Sequence, residues 1–366
     1  MPFSQKLLVS SVSGLAALAG AALADLSLDV RPLHADALLL VDVDSGKVIH
    51  GENATYPWYP ASVTKLMTTY VTLKAVRDQR ISLDTVFAVS PNAVAQQPSK
   101  MGFKSGTQVT VDNALKMLLV HSANDMAVVL AEGVSGSIEK FSDEMNAAAR
   151  RLGMTQTSYV NPNGLPADDQ VTTARDLAKL SRAIVTDFPE FAHYWSMPQM
   201  RLGKNRVRSH NGLLDTVEGA DGMKTGFTCD SGFNIVASAT RDGRRLVAVV
   251  LGDSSIADRN TRAAGLLEYG FQQTGLTQVF NTQTVDSMPL NPSVEGVKSV
   301  RASIESWACN PKPHIINAHK GGKKTAKKGA KKDRDAVKAA QANTEADTTT
   351  GALQTEVKPV LRAEEE

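Results

Sequence analysis

Three short segments of this chain hold hydroxyl and amine side chains at spacings that suit acyl transfer. In the first, Ser62-Val63-Thr64-Lys65, the serine and the lysine lie three residues apart. Residues at this spacing share one face of a helix, so the Ser62 hydroxyl and the Lys65 amine can meet if a helix begins here. A neutral lysine amine can remove the proton of a serine hydroxyl and make it a nucleophile. We therefore expect burial or a second cation to lower the pKa of Lys65.

The second segment, Ser122-Ala123-Asn124, lies between two helical patterns. Its hydroxyl could pass a proton to a leaving amine. The amide of Asn124 can both donate and accept a hydrogen bond, which suits a substrate peptide group. Taken alone, the segment is better explained by Ser122 capping a helix that begins at Asn124.

The third segment, Lys224-Thr225-Gly226, is followed by Phe227-Thr228 in a predicted strand. A cationic amine beside a hydroxyl can recognise a carboxylate, and Gly226 leaves room for an extended ligand close to the strand. Lys224 could also be the second cation that lowers the pKa of Lys65. Each segment alone also fits an ordinary surface helix or strand, but the three together, in this order, favour an active site.

The hydrophobic pattern places strands toward both ends of the chain and helices between them. The predicted strands are Ala37–Asp42, Val48–His50, Gly222–Thr228, Gly232–Thr240 and Arg245–Leu251. One predicted helix begins at Ala61-Ser62. The other predicted helices are Asp112–Leu119, Asn124–Gly133, Ile138–Leu152, Ala174–Thr186 and Asp258–Gln273. This order predicts a mixed α/β (α+β) fold, in which both chain ends build one antiparallel sheet, helices pack on it, and a helical segment is inserted. We expect a cleft where the sheet meets the inserted helices, because active sites commonly lie at such a seam.

The same segments resemble the motifs of a known family, the low-molecular-mass penicillin-binding proteins, which are serine-type D-alanyl-D-alanine carboxypeptidases. The resemblance extends to the neighbouring text, which reads Pro60-Ala61-Ser62-Val63-Thr64-Lys65-Leu66-Met67-Thr68, His121-Ser122-Ala123-Asn124-Asp125, Asn161-Pro162-Asn163-Gly164-Leu165 and Gly222-Met223-Lys224-Thr225-Gly226-Phe227-Thr228. It spans about Ala37 to Gln273. Ala123 departs from the Asp of the usual pattern. The resemblance implies a β-lactamase/transpeptidase-like fold.

The resemblance also implies a role for each matching residue. Ser62 would be the nucleophile, Lys65 the general base and Ser122 the proton shuttle to the departing D-alanine. Asn124 would orient the substrate amide. The implied substrate-binding residues are Asn124, Lys224, Thr225, Gly226 and Phe227, with the terminal carboxylate on Lys224 and Thr225 and an oxyanion hole formed by the backbone N–H groups of Ser62 and Phe227. The substrate would be a peptidoglycan stem peptide, β-lactam antibiotics would acylate Ser62, and no metal or cofactor is expected.

Two other enzymes would use the same serine and lysine. A class A-type β-lactamase needs a further carboxylate that activates the deacylating water, and the sequence presents no clear acidic loop for it. A DD-endopeptidase would cut peptide cross-links instead of terminal residues and stays open as an alternative. A nucleic-acid binder is disfavoured, because the basic residues are not interleaved with aromatic ones.

Composition divides the chain into four parts. The chain has 366 residues and a net charge of +2, but nine Lys/Arg and two Asp lie between Lys320 and Lys338, so the rest of the chain carries −5. Residues 1–24 resemble a secretory signal peptide, with Lys6 before an apolar stretch and Ala22-Leu23-Ala24 as the cleavage site. Residues 25–275 are predicted to be the catalytic domain, 276–310 a short extension, and 311–366 a disordered low-complexity tail.

These parts predict an exported enzyme in the periplasm or at the bacterial cell surface, soluble or peripherally associated with the membrane. The lysine-rich tail could make weak contact with anionic membrane or wall polymers, although it could equally serve only solubility.

Five other residues stand out in the sequence. We expect His121 to have a packing role, His210 to shape the rim of the cleft, and Arg259 to lie on a helix surface. Export permits a disulfide, but Cys229 and the distant Cys309 give no sign of proximity in the sequence, so we expect them to be unpaired.

Overall fold

The structure is a computed structural model that describes residues 37–273, 282–291, 296–304 and 309. Its strands are β1 (Ala37–Asp42), β2 (Val48–Glu52), β3 (Val86–Ala88), β4 (Gln108–Thr110), β5 (Gln199–Leu202), β6 (Asn205–Arg208), β7 (Ala220–Thr228), β8 (Gly232–Arg241) and β9 (Arg244–Asp253). Its helices are α1 (Lys65–Arg77), α2 (Pro91–Val94), α3 (Val111–Val120), α4 (Asn124–Ser135), α5 (Ile138–Arg151), α6 (Ala174–Asp187), α7 (His193–Ser196), α8 (Leu213–Thr216) and α9 (Ile256–Gln272). Within these ranges, 3-10 turns lie at Ala61–Thr64, Pro189–Phe191 and Arg301–Ser303.

The main sheet joins the two ends of the described chain. Within the described residues it has five antiparallel strands in the order β2-β1-β9-β8-β7. The first strand, β1, pairs with the last, β9, and Leu39 lies opposite Val249. The predicted mixed fold, with one antiparallel sheet from both chain ends and a helical insert, is therefore confirmed.

Both faces of the sheet are covered, which explains the nearly continuous apolar runs of its central strands. Because successive residues of a strand point to opposite faces, Leu39 and Leu40 enter different cores. Leu39 belongs to the larger core, which includes Leu66 of α1. Leu40 belongs to the smaller core with Leu267 of α9. The sheet is thus held between α9 on one side and the helical insert on the other.

Helix α1 lies in the larger core, and the hydroxyl groups of its buried threonines are hydrogen-bonded to backbone carbonyl oxygens. Thr69 and Thr72 donate hydrogen bonds to the carbonyl oxygens four residues earlier, at 2.8 Å each. Thr68 donates to the carbonyl oxygen of Pro162. A buried helix with its hydroxyl groups satisfied is a rigid support for the residues at its first turn.

Strand β7 is the edge of the sheet that faces the helical insert, and it contacts the 3-10 turn Ala61–Thr64. Asn234 of β8 holds the chain entering this turn, since its side-chain amide donates to the carbonyl oxygens of Tyr59 and Pro60 at 3.0 and 3.2 Å. The seam between sheet and helices, where the cleft was expected, is therefore formed by β7 and this turn.

The described residues after α9 pack against the part of the chain formed by residues 37–273. Residues 282–291 run beside β2, where the N–H of Val48 donates to the carbonyl oxygen of Gln283 at 3.0 Å. Val285 is completely buried. Residues 296–304 contact the turn between β7 and β8, where the N–H of Val300 donates to the carbonyl oxygen of Asp230 at 3.0 Å. The described parts of residues 276–310 thus contact the part of the chain formed by residues 37–273 through backbone hydrogen bonds.

The prediction that the two cysteines are unpaired is wrong. Cys229 and Cys309 form a disulfide with a Cα–Cα distance of 5.3 Å across a sequence separation of 80. A cross-link that closes a loop of this length stabilises the folded state by up to about 4 kcal/mol. It fastens the end of the extension to the residue directly after β7.

The predictions of a signal peptide and of a disordered tail concern the two ends of the chain. The signal peptide at 1–24 and the tail at 311–366 lie outside the described residues. Among the helices that are described, none combines the length and the apolar character that crossing a membrane requires.

Candidate active site

The side chains of Ser62 and Lys65 meet at the beginning of α1, as their spacing predicts. Ser62 lies in the 3-10 turn Ala61–Thr64, and the Lys65 Nζ lies 2.8 Å from the Ser62 Oγ. Lys65 is completely buried. Burial lowers its pKa well below the ordinary value, and the charge of Lys224 lowers the pKa further. Both expected causes of an activated lysine are present.

Two other groups fix the direction of the Lys65 amine. The Nζ lies 2.8 Å from the Asn124 Oδ1 and 2.7 Å from the carbonyl oxygen of Asn163. The Asn124 Nδ2 donates to the carbonyl oxygen of Gln97 at 2.8 Å, which fixes the orientation of this amide. Both partners of Lys65 can therefore only accept. A neutral amine has two N–H groups, so both are used and its lone pair is left toward Ser62.

Asn163 is a site residue to which the sequence analysis assigned no role. It acts through its backbone carbonyl, and its segment packs against the turn that carries Ser62. A Cβ atom on Gly164 would lie 1.8 Å from the carbonyl oxygen of Ala61, so only glycine fits there. The sequence indicated this segment only through its Asn-Pro-Asn-Gly motif, because a contact made by a backbone carbonyl does not depend on the type of the side chain.

The Ser122 segment lies at the junction of α3 and α4, as predicted. The alternative that Ser122 caps α4 is wrong, because the N-cap is Ala123 and the helix has no side-chain cap. Ser122 is 6% exposed and has a φ of 60°, a conformation that costs about 1–3 kcal/mol in a non-glycine residue and persists only where neighbours hold it. In the first turn of α4, the carboxylate of Asp125 accepts the N–H groups of Met101 and Gly102 at 3.1 and 2.9 Å, which ties the start of this helix to the preceding loop.

Not every contact predicted for the Ser122-Ala123-Asn124 segment is present in the structure. Within the described residues, Ser122 makes no hydrogen bond to Ser62 or Lys65. Asn124 was expected to orient a substrate amide, but its carboxamide here holds Lys65 and Gln97. Its backbone N–H donates to the carbonyl oxygen of Ser99 at 2.8 Å. Asn124 thus organises the site, and a substrate contact remains a prediction.

Lys224 and Thr225 lie in the middle of β7, and both are buried. The Lys224 Nζ donates to the carbonyl oxygen of Thr225 at 2.8 Å. Burial, together with the charge of Arg259, lowers the pKa of Lys224 to about 7. Arg259 is 3% exposed, so the expectation that it lies on a helix surface is wrong. It lies in the first turn of α9, which the sheet covers.

Lys65, Lys224 and Arg259 form a cluster of buried cations. None of the three makes an ion pair with a carboxylate among the residues that the structure describes. The charge of Arg259 lowers the pKa of Lys224, and the charge of Lys224 lowers the pKa of Lys65. The charges of Asp125 and Asp253 raise the pKa of Lys65 and of Arg259, respectively, against the larger effect of burial, but neither carboxylate pairs directly with the cluster. A buried positive cluster in a cleft attracts an anionic group, and a carboxylate is the simplest one.

Gly226 permits the close approach of β7 to the nucleophile. A Cβ atom at this position would lie 3.0 Å from the backbone nitrogens of both Ser62 and Val63. The glycine therefore leaves the N–H of Ser62 accessible from the side of β7. Phe227 follows it, is 37% exposed, and stacks on Phe233 with a ring-centroid distance of 4.1 Å. The backbone N–H groups predicted to form an oxyanion hole thus belong to two packed elements.

Two histidines stand beside the site. The rings of His121 and His210 lie 5.9 Å apart. His210 is exposed and His121 is half-buried. A role of His210 in shaping the rim of the cleft stays a prediction. In the part of the chain that the structure describes, no group of three or more His, Cys, Asp or Glu side chains could hold a metal ion.

Comparison with known proteins relates this geometry to one family. The D-alanyl-D-alanine carboxypeptidase DacD of Escherichia coli strain K12 is 37% identical over 256 residues, which cover 68% of this chain and 66% of the relative. The crystal structure of penicillin binding protein 6B from Escherichia coli matches with a TM-score of 0.62 and 37% identity, covering 66% of this chain and 78% of that one. Penicillin-binding protein D2 from Listeria monocytogenes, in its ampicillin-bound form, matches with a TM-score of 0.58 and 31% identity, covering 65% of this chain and 97% of that one.

The matched region contains all three sequence motifs of the site. The chain spans about two-thirds of the length of the curated relatives it matches, 66% for DacD and 64% for DacC of Escherichia coli strain K12. The family profile described as D-alanyl-D-alanine carboxypeptidase matches residues 25–255, which include Ser62, Lys65, Ser122 and Lys224. This chain belongs to the D-alanyl-D-alanine carboxypeptidase family of peptidases.

Proposed function

We propose that this protein is a serine D-Ala-D-Ala carboxypeptidase that removes the terminal D-alanine from peptidoglycan stem pentapeptides and is acylated by penicillins. The observation that carries this proposal is the 2.8 Å contact between the Lys65 Nζ and the Ser62 Oγ, made by a buried amine whose pKa is lowered. A serine beside a neutral amine is an activated nucleophile for acyl transfer.

In the acylation step, the Ser62 Oγ attacks the carbonyl carbon of the penultimate D-alanine and its proton passes to the lone pair of Lys65. The carbonyl oxygen becomes an oxyanion, which the N–H groups of Ser62 and Phe227 stabilise. The carbon–nitrogen bond then breaks as the negative charge returns to the carbonyl. The leaving amine receives the proton of Lys65 through the Ser122 hydroxyl, and the acyl group stays on Ser62.

The cation cluster sets the direction of the substrate along β7. The terminal carboxylate lies at Lys224 and Thr225, with Arg259 adding positive potential behind them. The acyl carbonyl lies farther along the strand, at the N–H of Phe227. The leaving D-alanine is therefore at the end of the site nearer Gly222, and the rest of the stem peptide continues past Phe227.

Water completes the cycle by attacking the acyl-enzyme, which returns Ser62 to its hydroxyl form. The class A β-lactamase alternative is less well supported, because no carboxylate in the described residues hydrogen-bonds to Ser62 or Lys65, and the loop near Lys65 offers the carbonyl of Asn163 instead. Because no carboxylate is placed to activate the water, hydrolysis of a β-lactam acyl-enzyme should be slow. The DD-endopeptidase alternative uses the same groups and differs only in the leaving group.

The location proposed for this enzyme is outside the cytoplasm. The Cys229–Cys309 disulfide supports export, since such bonds persist in oxidising compartments. Whether the protein works in the periplasm or at the cell surface, and whether the lysine-rich segment 320–338 contacts anionic membrane or wall polymers, stay predictions from the sequence.

The proposal is tested with labelled penicillin and purified muropeptides. The wild type should attach one label covalently and convert pentapeptides into tetrapeptides, read as the loss of one alanine by mass spectrometry. Ser62→Ala should abolish both reactions while keeping the wild-type thermal transition. Ser105→Ala, at an exposed serine in the loop before β4, is the matched control and should react normally. Covalent labelling of a folded Ser62→Ala protein would overturn the assignment.

A further inference from the structure

Gln170 links the segment that holds the Lys65 amine to the turn that carries Ser62. It lies in the chain between Asn163 and α6, and only 2% of its surface is exposed. Burying a carboxamide is costly unless its polar atoms find hydrogen-bond partners. The partners of Gln170 therefore indicate what this residue holds in place.

The carboxamide of Gln170 uses its whole hydrogen-bonding capacity. Its Oε1 accepts the backbone N–H groups of Val160 and Asn161 at 2.7 and 3.2 Å. Its Nε2 donates to the Thr64 Oγ1 at 3.0 Å and to the carbonyl oxygen of Asn161 at 3.3 Å. A carboxamide has two donor hydrogens and two acceptor positions, so all four are occupied. Gln170 thus ties the chain at Asn161 to the 3-10 turn that ends at Thr64.

Three consecutive carbonyl groups, those of residues 161–163, accept hydrogen bonds from buried side chains. The donors are Gln170 to the carbonyl of Asn161 at 3.3 Å, Thr68 to that of Pro162 at 2.5 Å, and Lys65 to that of Asn163 at 2.7 Å. Because the three carbonyl groups are joined by two peptide bonds, a displacement of the first two displaces the third. The position of the carbonyl that holds Lys65 therefore depends on Gln170 and Thr68.

We infer that Gln170 is a positioning residue for the general base and acts on it through the Asn163 carbonyl. This inference rests on the proposed function, because it concerns the lone pair of neutral Lys65. That lone pair is directed at Ser62 only while the two N–H groups of the amine are held by Asn124 and Asn163. Without the carboxamide of Gln170, the Asn163 carbonyl loses support and the amine can turn away from the serine.

Stopped-flow acylation of the full-length protein by a fluorescent penicillin tests this inference. Gln170→Leu keeps a side chain of similar size and removes all four hydrogen bonds. Its maximal acylation rate should fall about tenfold, which is part of the roughly 100- to 10,000-fold that a well-placed general base contributes. The penicillin concentration that gives half of this rate should stay within about twofold, because Lys224 and Thr225 are unchanged.

Two milder variants support the test if Gln170→Leu folds poorly. Gln170→Asn keeps a carboxamide that is one methylene too short to reach both Asn161 and Thr64. Thr68→Val is close to isosteric and removes only the hydrogen bond to the Pro162 carbonyl. Each should lower the maximal rate by up to about fivefold, the scale of one neutral hydrogen bond, at unchanged penicillin binding. The thermal transition of each variant verifies folding.

The dependence on Lys65 separates a positioning role from a merely structural one. Lys65→Ala lacks the base, so the residual labelling that persists without it, followed by mass spectrometry over hours, should be the same in Lys65→Ala/Gln170→Leu. If Gln170 instead supported only the turn of Ser62 through Thr64, the second change would lower the residual labelling by the same factor as in the wild type. Such an additive loss would overturn the inference.

Gln156→Leu is the matched control. This glutamine also joins two segments, since its Nε2 donates to the carbonyl oxygen of Thr55 at 3.0 Å. The control should be acylated at the wild-type rate. A wild type that penicillin does not label would contradict the proposed function. The inference alone fails if folded Gln170→Leu is acylated at the wild-type rate, or if its rate and its penicillin binding weaken together.

Discussion

Burial lowers the pKa of Lys65, and the amine of Lys224 lowers it further from the neighbouring strand β7. The two lysines are both buried, and neither has a carboxylate partner among the described residues. The site therefore keeps two amines in an environment that favours their neutral forms. For Lys65 the neutral form is the base, and for Lys224 the protonated form is the one that binds a carboxylate.

This relationship predicts the pH dependence of acylation. Because only neutral Lys65 can take the proton of Ser62, the acylation rate at saturating β-lactam should rise with pH and level off below the ordinary lysine value of 10.5. Lys224→Gln removes the second cation, so the pKa of Lys65 should rise and the inflection should move to higher pH. Stopped-flow labelling with a fluorescent penicillin measures this rate.

Lys74→Gln is the control for that experiment. It removes a half-buried lysine from the last turn of α1, where the amine pairs with Asp78 at 2.6 Å. Its inflection should coincide with that of the wild type. If the Lys224→Gln profile also coincided with the wild type, the electrostatic coupling of the two amines would be refuted.

The same burial predicts that Lys224 destabilises the fold. Its folded-state pKa of about 7 lies below the ordinary 10.5, so between these values the unfolded chain binds more protons and stability rises with pH. At neutral pH this difference costs up to about 4 kcal/mol. Lys224→Met should therefore raise the free energy of unfolding by about 2 kcal/mol at neutral pH while abolishing carboxylate binding.

Urea titrations at several pH values check this prediction. The stability gap between Lys224→Met and the wild type should be largest at and below pH 7 and should shrink as the pH approaches the ordinary lysine value. Lys74→Met, at the half-buried position in the last turn of α1, should show no such pH-dependent gap. A Lys224→Met protein that is less stable than the wild type at neutral pH would show that packing at this position outweighs the charge.

The long elements of this fold could be predicted because their hydrophobic periodicity decides where they lie. Each predicted strand, and each long helix after α1, agrees with the structure to within two residues at either end, including β7 and α9. The first helix was predicted to begin at Ala61-Ser62, but Ala61–Thr64 is a 3-10 turn and α1 begins at Lys65. The short elements β3, β4 and the hairpin of β5 and β6 were not predicted, since strands of three or four residues are too short to show a period.

The site was predicted only as far as side-chain type reveals chemistry. Ser62 and Lys65 were found from their spacing on a helix, but the carbonyl of Asn163 carries no such signature. Arg259 was expected at a surface because its position on the helix says nothing about the sheet that covers it. The pairing of Cys229 with Cys309 depends on the path of the extension, which a sequence separation of 80 conceals.

Gly226→Ala should damage catalysis far more than stability. A Cβ atom there would lie 3.0 Å from the backbone nitrogen of Ser62, so it would cover the N–H that faces the oxyanion. Losing one such donor lowers the acylation rate about 100-fold. Gly265→Ala is the matched control, because its Cβ would have no neighbour within 4 Å and the change lies inside α9. The control should label at the wild-type rate, and an equal rate for Gly226→Ala would exclude the N–H of Ser62 from the oxyanion hole.

The Cys229–Cys309 disulfide should stabilise the fold without taking part in the chemistry. Cys229→Ser/Cys309→Ser should lower the free energy of unfolding by up to about 4 kcal/mol, because the unfolded chain gains the freedom of a long loop. Other contacts still hold the extension to the turn after β7, including the pair of Arg301 and Asp230 at 2.8 Å. The rate of penicillin acylation in the folded variant should therefore stay within about threefold of the wild type, since loops at a site tolerate partial loss of support. Thermal melting with and without reductant supplies the decisive comparison. Reductant should lower the melting temperature of the wild type to that of the double variant and leave the melting temperature of the variant unchanged. If reductant did not change the melting temperature of the wild type, the two cysteines would not be paired in solution.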